Sequence, residues 1–341
     1  MNETGERLVR LLADGELHSG ARLADSLGIT RGAVWKSVGE LRDHGIDVSS
    51  HDRRGYRLAA PVEMLDAATL CRAAEGAGLR WPADVEVHFE IASTNEYLQA
   101  APAPPPGAPR LVFAELQTEG RGRRGRDWLA PFGSGLTFSI GWTYADMPAQ
   151  LSALSLALGV CVVRALRELG AADVQLKWPN DVVHAHRKLG GLLLQMRSEA
   201  GGPAYVVAGL GLNLRLPAAA RTRIQTAGAT PVTDLAEANV CAAPARSEVA
   251  VRTAARMLEG LERFGREGFA PFLSEWAACD SLCGAAVTVL RHDGTLDGIA
   301  RGVDADGALR VETASGLFER VHAGDVSLRR AGVAVTEGAA S

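Results

Sequence analysis

The stretch Gln117-Thr118-Glu119-Gly120-Arg121-Gly122-Arg123-Arg124-Gly125-Arg126-Asp127-Trp128 threads four arginines between three glycines, a pattern that no packing requirement explains. Gly120, Gly122 and Gly125 open positive φ and close approach to the backbone, while the guanidinium forks of Arg121, Arg123, Arg124 and Arg126 suit phosphate and carboxylate oxygens. The stretch reads as an anion cradle. It also spells G-x-G-x-x-G, but a dinucleotide fingerprint opens a helix with small residues. Here Trp128 is followed by Pro131, Gly133 and Gly135 and then by a strand-like run, Leu136 to Trp142, so the dinucleotide reading fails. A solvated basic loop or a nucleic-acid patch is the plain alternative.

Polar junctions recur on either side of this loop. Leu111 to Glu115 is apolar enough for a buried strand and delivers Gln117 into the loop. Earlier, a strand from Val85 to Ile91 runs into Ser93-Thr94-Asn95, which is by default a helix N-cap and also a place where a polar ligand group can be held. The Pro-rich tract Ala101 to Pro109 is a loop, since proline suits neither a sheet strand nor a helix interior. Downstream, a helix from Leu151 to Glu168 precedes Lys177-Trp178-Pro179-Asn180-Asp181, where Pro179 stops a strand. Lys188-Leu189-Gly190-Gly191 then opens another strand, with Lys188 at its start. A strand from Tyr205 to Leu212 carries Gly209 and Gly211 and packs closely on a ligand or a neighbouring backbone. The segment from Pro217 to Pro244 is polar and without strong periodicity, which fits a mobile loop. Ser247 caps a helix with Val251, Ala255, Leu258 and Leu261 on one side.

The first sixty residues have a different character. Leu8, Leu11 and Leu12 mark one helix, Ala21 to Leu27 a second that Gly28 ends, and Thr30 caps a third whose inner face is Val34, Val38 and Leu41. Arg31, Gly32, Trp35 and Lys36 face outward. Two short strands, Ile46 to Ser49 and Tyr56 to Leu58, flank the turn His51-Asp52-Arg53-Arg54-Gly55. This is a helix-turn-helix with a wing. Nine basic and nine acidic side chains in residues 1 to 60 leave a protein-interaction module open. The clustering of Arg31, Trp35, Lys36, Arg53 and Arg54 on the two groove-facing elements favours DNA. From Ala286 onward, short strands and turn signals read as a small β-barrel. The last eleven residues read as disordered.

Composition narrows the classes. At 341 residues the chain has room for two or three domains. Its 36 basic and 40 acidic residues, formally −4, exclude a generally polycationic binder. Five cysteines without C-x-x-C argue for a reducing compartment, and Cys279 and Cys283, which could share a helix face, are ordinary packing residues. The start lacks a basic segment followed by an apolar run, so the expected location is the cytoplasm. Leu151 to Val163 is too short for a membrane span of roughly 20 residues.

In this order the motifs resemble the bacterial bifunctional biotin–protein ligase and biotin operon repressor family, over nearly the whole chain. The resemblance rests on His18-Ser19-Gly20, the wing's Gly55-Tyr56-Arg57-Leu58, Ser93-Thr94-Asn95, Gly120 to Arg126, Lys177 to Asp181, Lys188 to Gly191, and Gly302-Val303-Asp304 with Gly307-Ala308-Leu309. It implies an α/β (α+β) chain in three domains. These are a winged helix-turn-helix over residues 1–62, a mixed-sheet class II biotin ligase-like catalytic domain over 63–280 and an SH3-like β-barrel over 281–330, followed by a disordered tail, 331–341.

The implied chemistry has two steps. Biotin and MgATP give biotinyl-5′-adenylate, and a lysine of the biotin carboxyl carrier protein then displaces AMP. By resemblance, Ser93, Thr94, Asn95, Gln117, Arg121, Gly122, Arg123, Trp128 and Lys188 bind biotin. Arg121, Arg123, Arg126, Asn180 and Lys188 hold ATP and the adenylate, and Lys188, Arg123, Arg126 and Asp181 are the catalytic set. Mg²⁺ comes with the nucleotide; the resemblance gives Asn180 or Asp181 a part in handling it or the lysine, and implies no dedicated metal site. Operator DNA and an adenylate-dependent homodimer are the implied regulatory partners. Glu119 and Asp127 depart from the usual pattern by placing acids beside the arginines. No aromatic residue lies between Tyr205 and Phe264 to cover adenine, so such a lid is either absent or supplied by aliphatics such as Leu214 and Leu216. The rivals are a lipoate–protein ligase-like enzyme, a non-catalytic regulator, and a ligase whose winged helix no longer binds DNA.

Overall fold

The computed structural model describes residues 1–51, 54–198, 202–227, 231–238, 244–292 and 294–328. Helices α1 (Glu3–Leu12), α2 (Gly20–Leu27) and α3 (Arg31–Asp43) begin at Asn2, Ser19 and Thr30, whose side chains each accept a first-turn N–H. Gly28, at φ 66°, ends α2 in the left-handed conformation and turns the chain into α3. Strands β1 (Val48–His51) and β2 (Gly55–Leu58) pair antiparallel as the wing. A side chain at Gly55 would strike the His18 carbonyl, because His18 bridges to Tyr56 beside the wing. Arg53 lies outside the described residues. The core of this unit, with Leu8, Leu12, Val34, Val38 and Leu41 buried, continues onto Phe89, and Phe89 stacks on Phe132 with centroids 5.8 Å apart. The helix-turn-helix unit is therefore seated on the middle of the chain by apolar packing.

The middle of the chain runs through α4 (Ala67–Gly76), β3 (Asp84–Ile91), α5 (Thr94–Ala100), β4 (Arg110–Gln117), β5 (Gly135–Tyr144), α6 (Leu154–Glu168), β6 (Gln175–Lys177), β7 (Asp181–His184), β8 (Arg187–Ser198) and β9 (Ala204–Asn213). It continues with α7 (Ala218–Ala227), α8 (Leu235–Ala238), α9 (Arg246–Glu267) and α10 (Leu273–Cys279). The seven strands form one mixed sheet in the order β3-β4-β5-β9-β8-β7-β6, parallel only between β3 and β4. Alternation along β5 sorts the two faces: Phe138 and Ile140 join the core formed with α6 and α9, and Thr137 and Ser139 turn to the opposite face, where α5 lies.

Three expectations need correction here. The segment 217–244 is not a featureless loop: its described part holds α7 and α8, with Leu235 and Ala238 buried. Its periodicity is weak because α7 is largely exposed, and alanine-rich composition suffices for a helix there. Ser247 does not cap α9. The carboxylate of Glu63 does, accepting the N–H groups of Arg246 (2.5 Å) and Ser247 (3.2 Å) as well as the Ser247 hydroxyl. Cys279 is buried at the end of α10, while Cys283 lies beyond that helix and is exposed, so they share no helix face.

The C-terminal strands β10 (Ala286–Arg291), β11 (Gly294–Val303), β12 (Leu309–Glu312), β13 (Phe318–Val321) and β14 (Asp325–Leu328) make an antiparallel sheet in the order β13-β12-β11-β10-β14. Among the described residues this sheet is open rather than a closed barrel. Its four-residue edge strands, β13 and β14, follow one another in sequence yet stand at opposite edges without pairing. The sheet is anchored to the middle of the chain where the Trp178 indole N–H donates to the Gly307 carbonyl at 3.0 Å. The tail 331–341 lies outside the described residues.

Candidate active site

The polar junctions converge on one cavity of about 750 Å³. Ser93, Thr94, Asn95, Gln117, Arg121, Gly122, Arg123, Arg126, Trp128, Asn180, Asp181 and Lys188, though drawn from four separate stretches of sequence, all line it. Its volume falls within the roughly 300–1,000 Å³ range of small-molecule sites.

One end is a buried polar array. The Gln117 amide oxygen accepts the Thr94 backbone N–H at 2.8 Å and the Thr94 hydroxyl at 3.2 Å. Thr94 and Ser139 hydroxyls lie 2.7 Å apart, and Ser139 donates to the Asn95 amide oxygen at 2.6 Å. Asn95 in turn donates to Gln195 (2.9 Å) and to the Leu193 carbonyl (3.2 Å). Every side chain in this array is held by another, which fixes its direction before any ligand arrives. Glycines on β9 make the room. A methyl group at Gly209 would collide with Asn95, and one at Gly211 with the Trp128 ring.

The arginine loop closes over this end as a tight double-back. Gly122 N–H donates to the Arg126 carbonyl at 2.6 Å and Trp128 N–H to the Gly120 carbonyl at 2.7 Å. The three glycines serve different purposes. Only Gly125 takes positive φ, 71°, alongside Arg124 at 57°, whereas Gly120 is required because a side chain there would strike the Trp128 carbonyl. Arg121 pairs with Glu96 at 2.7 Å. Arg123 points inward to the Asn180 amide oxygen (3.3 Å), and burial pulls its pKa below the ordinary arginine value. Arg124 and Arg126 instead reach Asp325 of the C-terminal sheet, at 3.4 and 2.9 Å.

The far wall comes from the β6–β7–β8 hairpins. The chain turns at the cis Trp178–Pro179 peptide, and Asn180 is locked by exchanging hydrogen bonds with Leu192. Lys188 forms an ion pair with Asp181 at 2.7 Å and lies 5.8 Å from the centroid of the Trp128 ring. Lys177 also lines the cavity. Burial, reinforced by the Lys188 and Arg126 charges and opposed by Asp181, lowers its pKa. The site thus sets a cluster of cations beside an apolar indole wall, with Asp181 the acid nearest Lys188.

Gly209 and Gly211 line the cavity, in keeping with the close approach expected of their strand, and several further lining residues were not among the expected site residues: Lys177, Thr137, Asn213, Ile224 and Val232, with Leu290, Asp325 and Ser327 from the C-terminal sheet. Ile224 and Val232 line the cavity, whereas Leu214 and Leu216 do not. Leu216 is buried elsewhere, its N–H bonded to Asp234, and Leu214 packs on the core. Thr137 and Ser139 are legible as polar interruptions of an apolar strand. Asp325 leaves no local signal.

Residues 89–213 match the Biotin/lipoate A/B protein ligase family, residues 282–329 the Biotin protein ligase C terminal domain, and residues 6–57 an HTH domain. The Bifunctional ligase/repressor BirA of Escherichia coli (strain K12) is 35% identical over 325 residues, covering 95% of this chain and 97% of that protein. The Biotin--[acetyl-CoA-carboxylase] ligase of Mycobacterium tuberculosis is 35% identical over 257 residues, covering 74% and 91%. The biotin protein ligase from Aquifex aeolicus in complex with biotin and ATP superposes with a TM-score of 0.59 at 27% identity, covering 73% of this chain and 99% of that one.

Proposed function

The chain belongs to the family of bifunctional biotin ligase/repressor proteins, and we infer that it activates biotin with ATP and transfers it to the carrier lysine of a biotin carboxyl carrier protein. A biotin carboxylate oxygen bonds to the α-phosphorus as the bond to the β-phosphate oxygen breaks, and pyrophosphate leaves with that electron pair. The carrier lysine's amine then attacks the acyl carbon, loses its proton, and AMP departs.

The observation that carries this reading is the meeting of a cation cluster with an array of fixed hydrogen-bonding groups in one cavity roomy enough for both reactants. Forming an anhydride brings a carboxylate against a triphosphate. Arg121, Arg123 and Lys188 offset that repulsion and stabilise charge growing on the leaving group, with Arg126 reaching the phosphates once it releases Asp325. Ser93, Thr94, Asn95 and Gln117 hold biotin's polar ring atoms, and Gly122 lets the loop lie close above it. Trp128 walls its apolar chain. Mg²⁺ would come with the nucleotide, where the Asp181 carboxylate or the Asn180 amide oxygen would offer it a donor, in keeping with magnesium's use of one or two carboxylates plus phosphate.

The boundaries we assign are residues 1–62, 63–280 and 281–330, with the last unit of SH3-like type and the reaction in the cytoplasm. The second activity is repression. Arg31, Trp35 and Lys36 are exposed on α3 and Arg54 on the wing, the pair of elements that meets a duplex. A single small domain of balanced charge binds weakly, so a homodimer bridged by adenylate-bound central units gives useful affinity. Incubation with ATP, labelled biotin and a carrier domain tests the ligase: label on the carrier lysine that requires both substrates is expected, and its absence rejects the assignment. Gel shifts on promoter DNA of biotin-synthesis genes, with and without biotinyl-5′-adenylate, test the repressor.

A further inference from the structure

The outer face of α3 carries a combination that the fold does not require. Trp35 is 68% exposed, although Val34, Val38 and Leu41 complete the core without it. Gly32 lies three residues before it and Gly39 four after, so the three share one stripe of the helix. A methyl group on Gly39 would meet nothing within 4 Å, and one on Gly32 only the Thr30 hydroxyl at 3.9 Å. Neither glycine has positive φ. Packing and backbone geometry therefore leave both free to be alanine, and each weakens the helix by about 1 kcal/mol relative to alanine. What the glycines do is leave bare backbone on both sides of a projecting indole, between Arg31 and Lys36.

This shape suits a groove. The major groove admits an α-helix, and among the base edges it displays only thymine offers an apolar group, its C5-methyl. An indole cannot accept a hydrogen bond and has a single donor, so what it chiefly reads is that methyl. We propose that Trp35 selects thymines in the operator half-site by contact with their C5-methyl groups, and that Gly32 and Gly39 thin the helix so that the ring reaches the groove floor. Arg31 and Lys36 hold the helix in register on the phosphates. The inference rests on the repressor reading above and names the base that this face recognises.

The test uses the full chain with biotinyl-5′-adenylate and an operator located by footprinting on promoter DNA of biotin-synthesis genes. Each thymine is replaced in turn by deoxyuridine, which removes only the methyl group. Wild type is expected to lose at least about threefold in affinity at one or two positions per half-site, and Trp35→Ala at least about tenfold overall, in line with the cost of one lost base contact. Trp35→Ala should then be indifferent to those same deoxyuridines. Gly39→Ala should melt no lower than wild type yet bind the operator more weakly, a divergence that a purely structural glycine does not produce. Circular dichroism confirms that each variant is folded. A specific complex that ignores every deoxyuridine, or that Trp35→Ala leaves within about twofold, overturns the inference alone and leaves the indole as a backbone or protein contact. No specific complex with wild type overturns the inference and the repressor reading together.

Discussion

Lys188 Nζ stands 2.7 Å from Asp181 Oδ1, so the lysine assigned to the reacting phosphate is already balanced by a carboxylate that the phosphate must displace or share. Lys188→Ala therefore does two things at once: it removes a charge-assisted contact worth roughly 1.5–3 kcal/mol and leaves Asp181 facing the nucleotide unneutralised. Pyrophosphate release should fall by at least about tenfold, with the fold intact by circular dichroism. Near-wild-type release from Lys188→Ala takes the lysine out of the reaction.

Gly211 and Gly209 test the other end of the cavity. A methyl group at Gly211 displaces the Trp128 ring, and one at Gly209 displaces Asn95 from its hydrogen bonds. Gly211→Ala and Gly209→Ala should each raise the KM for biotin by an order of magnitude or so, the cost of one disturbed buried contact. The KM for ATP should change far less. A uniform loss in both would mean that the sheet itself is damaged.

How much of this was readable in advance depends on how far apart the cooperating residues lie. The arginine loop, Lys177 to Asp181 and Lys188 to Gly191 are contiguous runs, and each one contributes lining residues to the cavity. The partner of Asn95 is Ser139, 44 residues on, and only the pairing of strands brings them together. Asp325 reaches Arg126 across 199 residues, from a different sheet. Glu63 caps α9 across 183 residues, so Ser247, a good cap by type, misled the local reading. The recurrence of short strands in the C-terminal unit was legible from its turn signals, whereas closure depends on which edges pair, and turn residues do not specify that.

The Asp325 pairs tether Arg124 and Arg126 to the C-terminal sheet. Being partly exposed, such pairs are worth roughly 0.2–1 kcal/mol each, enough to bias the loop without locking it. Trypsin should cut after Arg121 to Arg126 faster in Asp325→Ala than in wild type. Biotinyl-5′-adenylate should protect both, since it supplies the counter-charge for four neighbouring arginines. Equal cleavage with and without adenylate would rule out ligand ordering of the loop.

Behind the loop, Glu115 and Arg246 form a buried pair at 2.5 Å. Glu115 also accepts the Leu65 N–H at 2.6 Å, and Arg246 donates to the carbonyls of Gly135 (3.0 Å) and Glu63 (3.2 Å). Removing one partner of such a pair strands the other charge, at a cost of about 3–5 kcal/mol. Glu115→Ala should lower Tm by about 6 °C or more, and Glu115→Met with Arg246→Met should regain much of it. A Glu115→Ala protein that melts with wild type would show the pair to be dispensable.

Lys177 offers a test by pH. Burial lowers its pKa from the ordinary 10.5, with the Lys188 and Arg126 charges pushing the same way. A bound triphosphate favours the charged form and raises the pKa again. Between the lowered value and that of the complex, nucleotide binding takes up a proton, so affinity for MgATP falls as pH rises through that window. Below it, Lys177 is charged in both states and contributes no pH dependence. Calorimetric titration of MgATP in buffers of different ionisation enthalpy should reveal the uptake inside that window and none below it. Lys177→Met should abolish it while leaving any proton exchange from other groups. Uptake that persists unchanged in Lys177→Met assigns the proton to another residue.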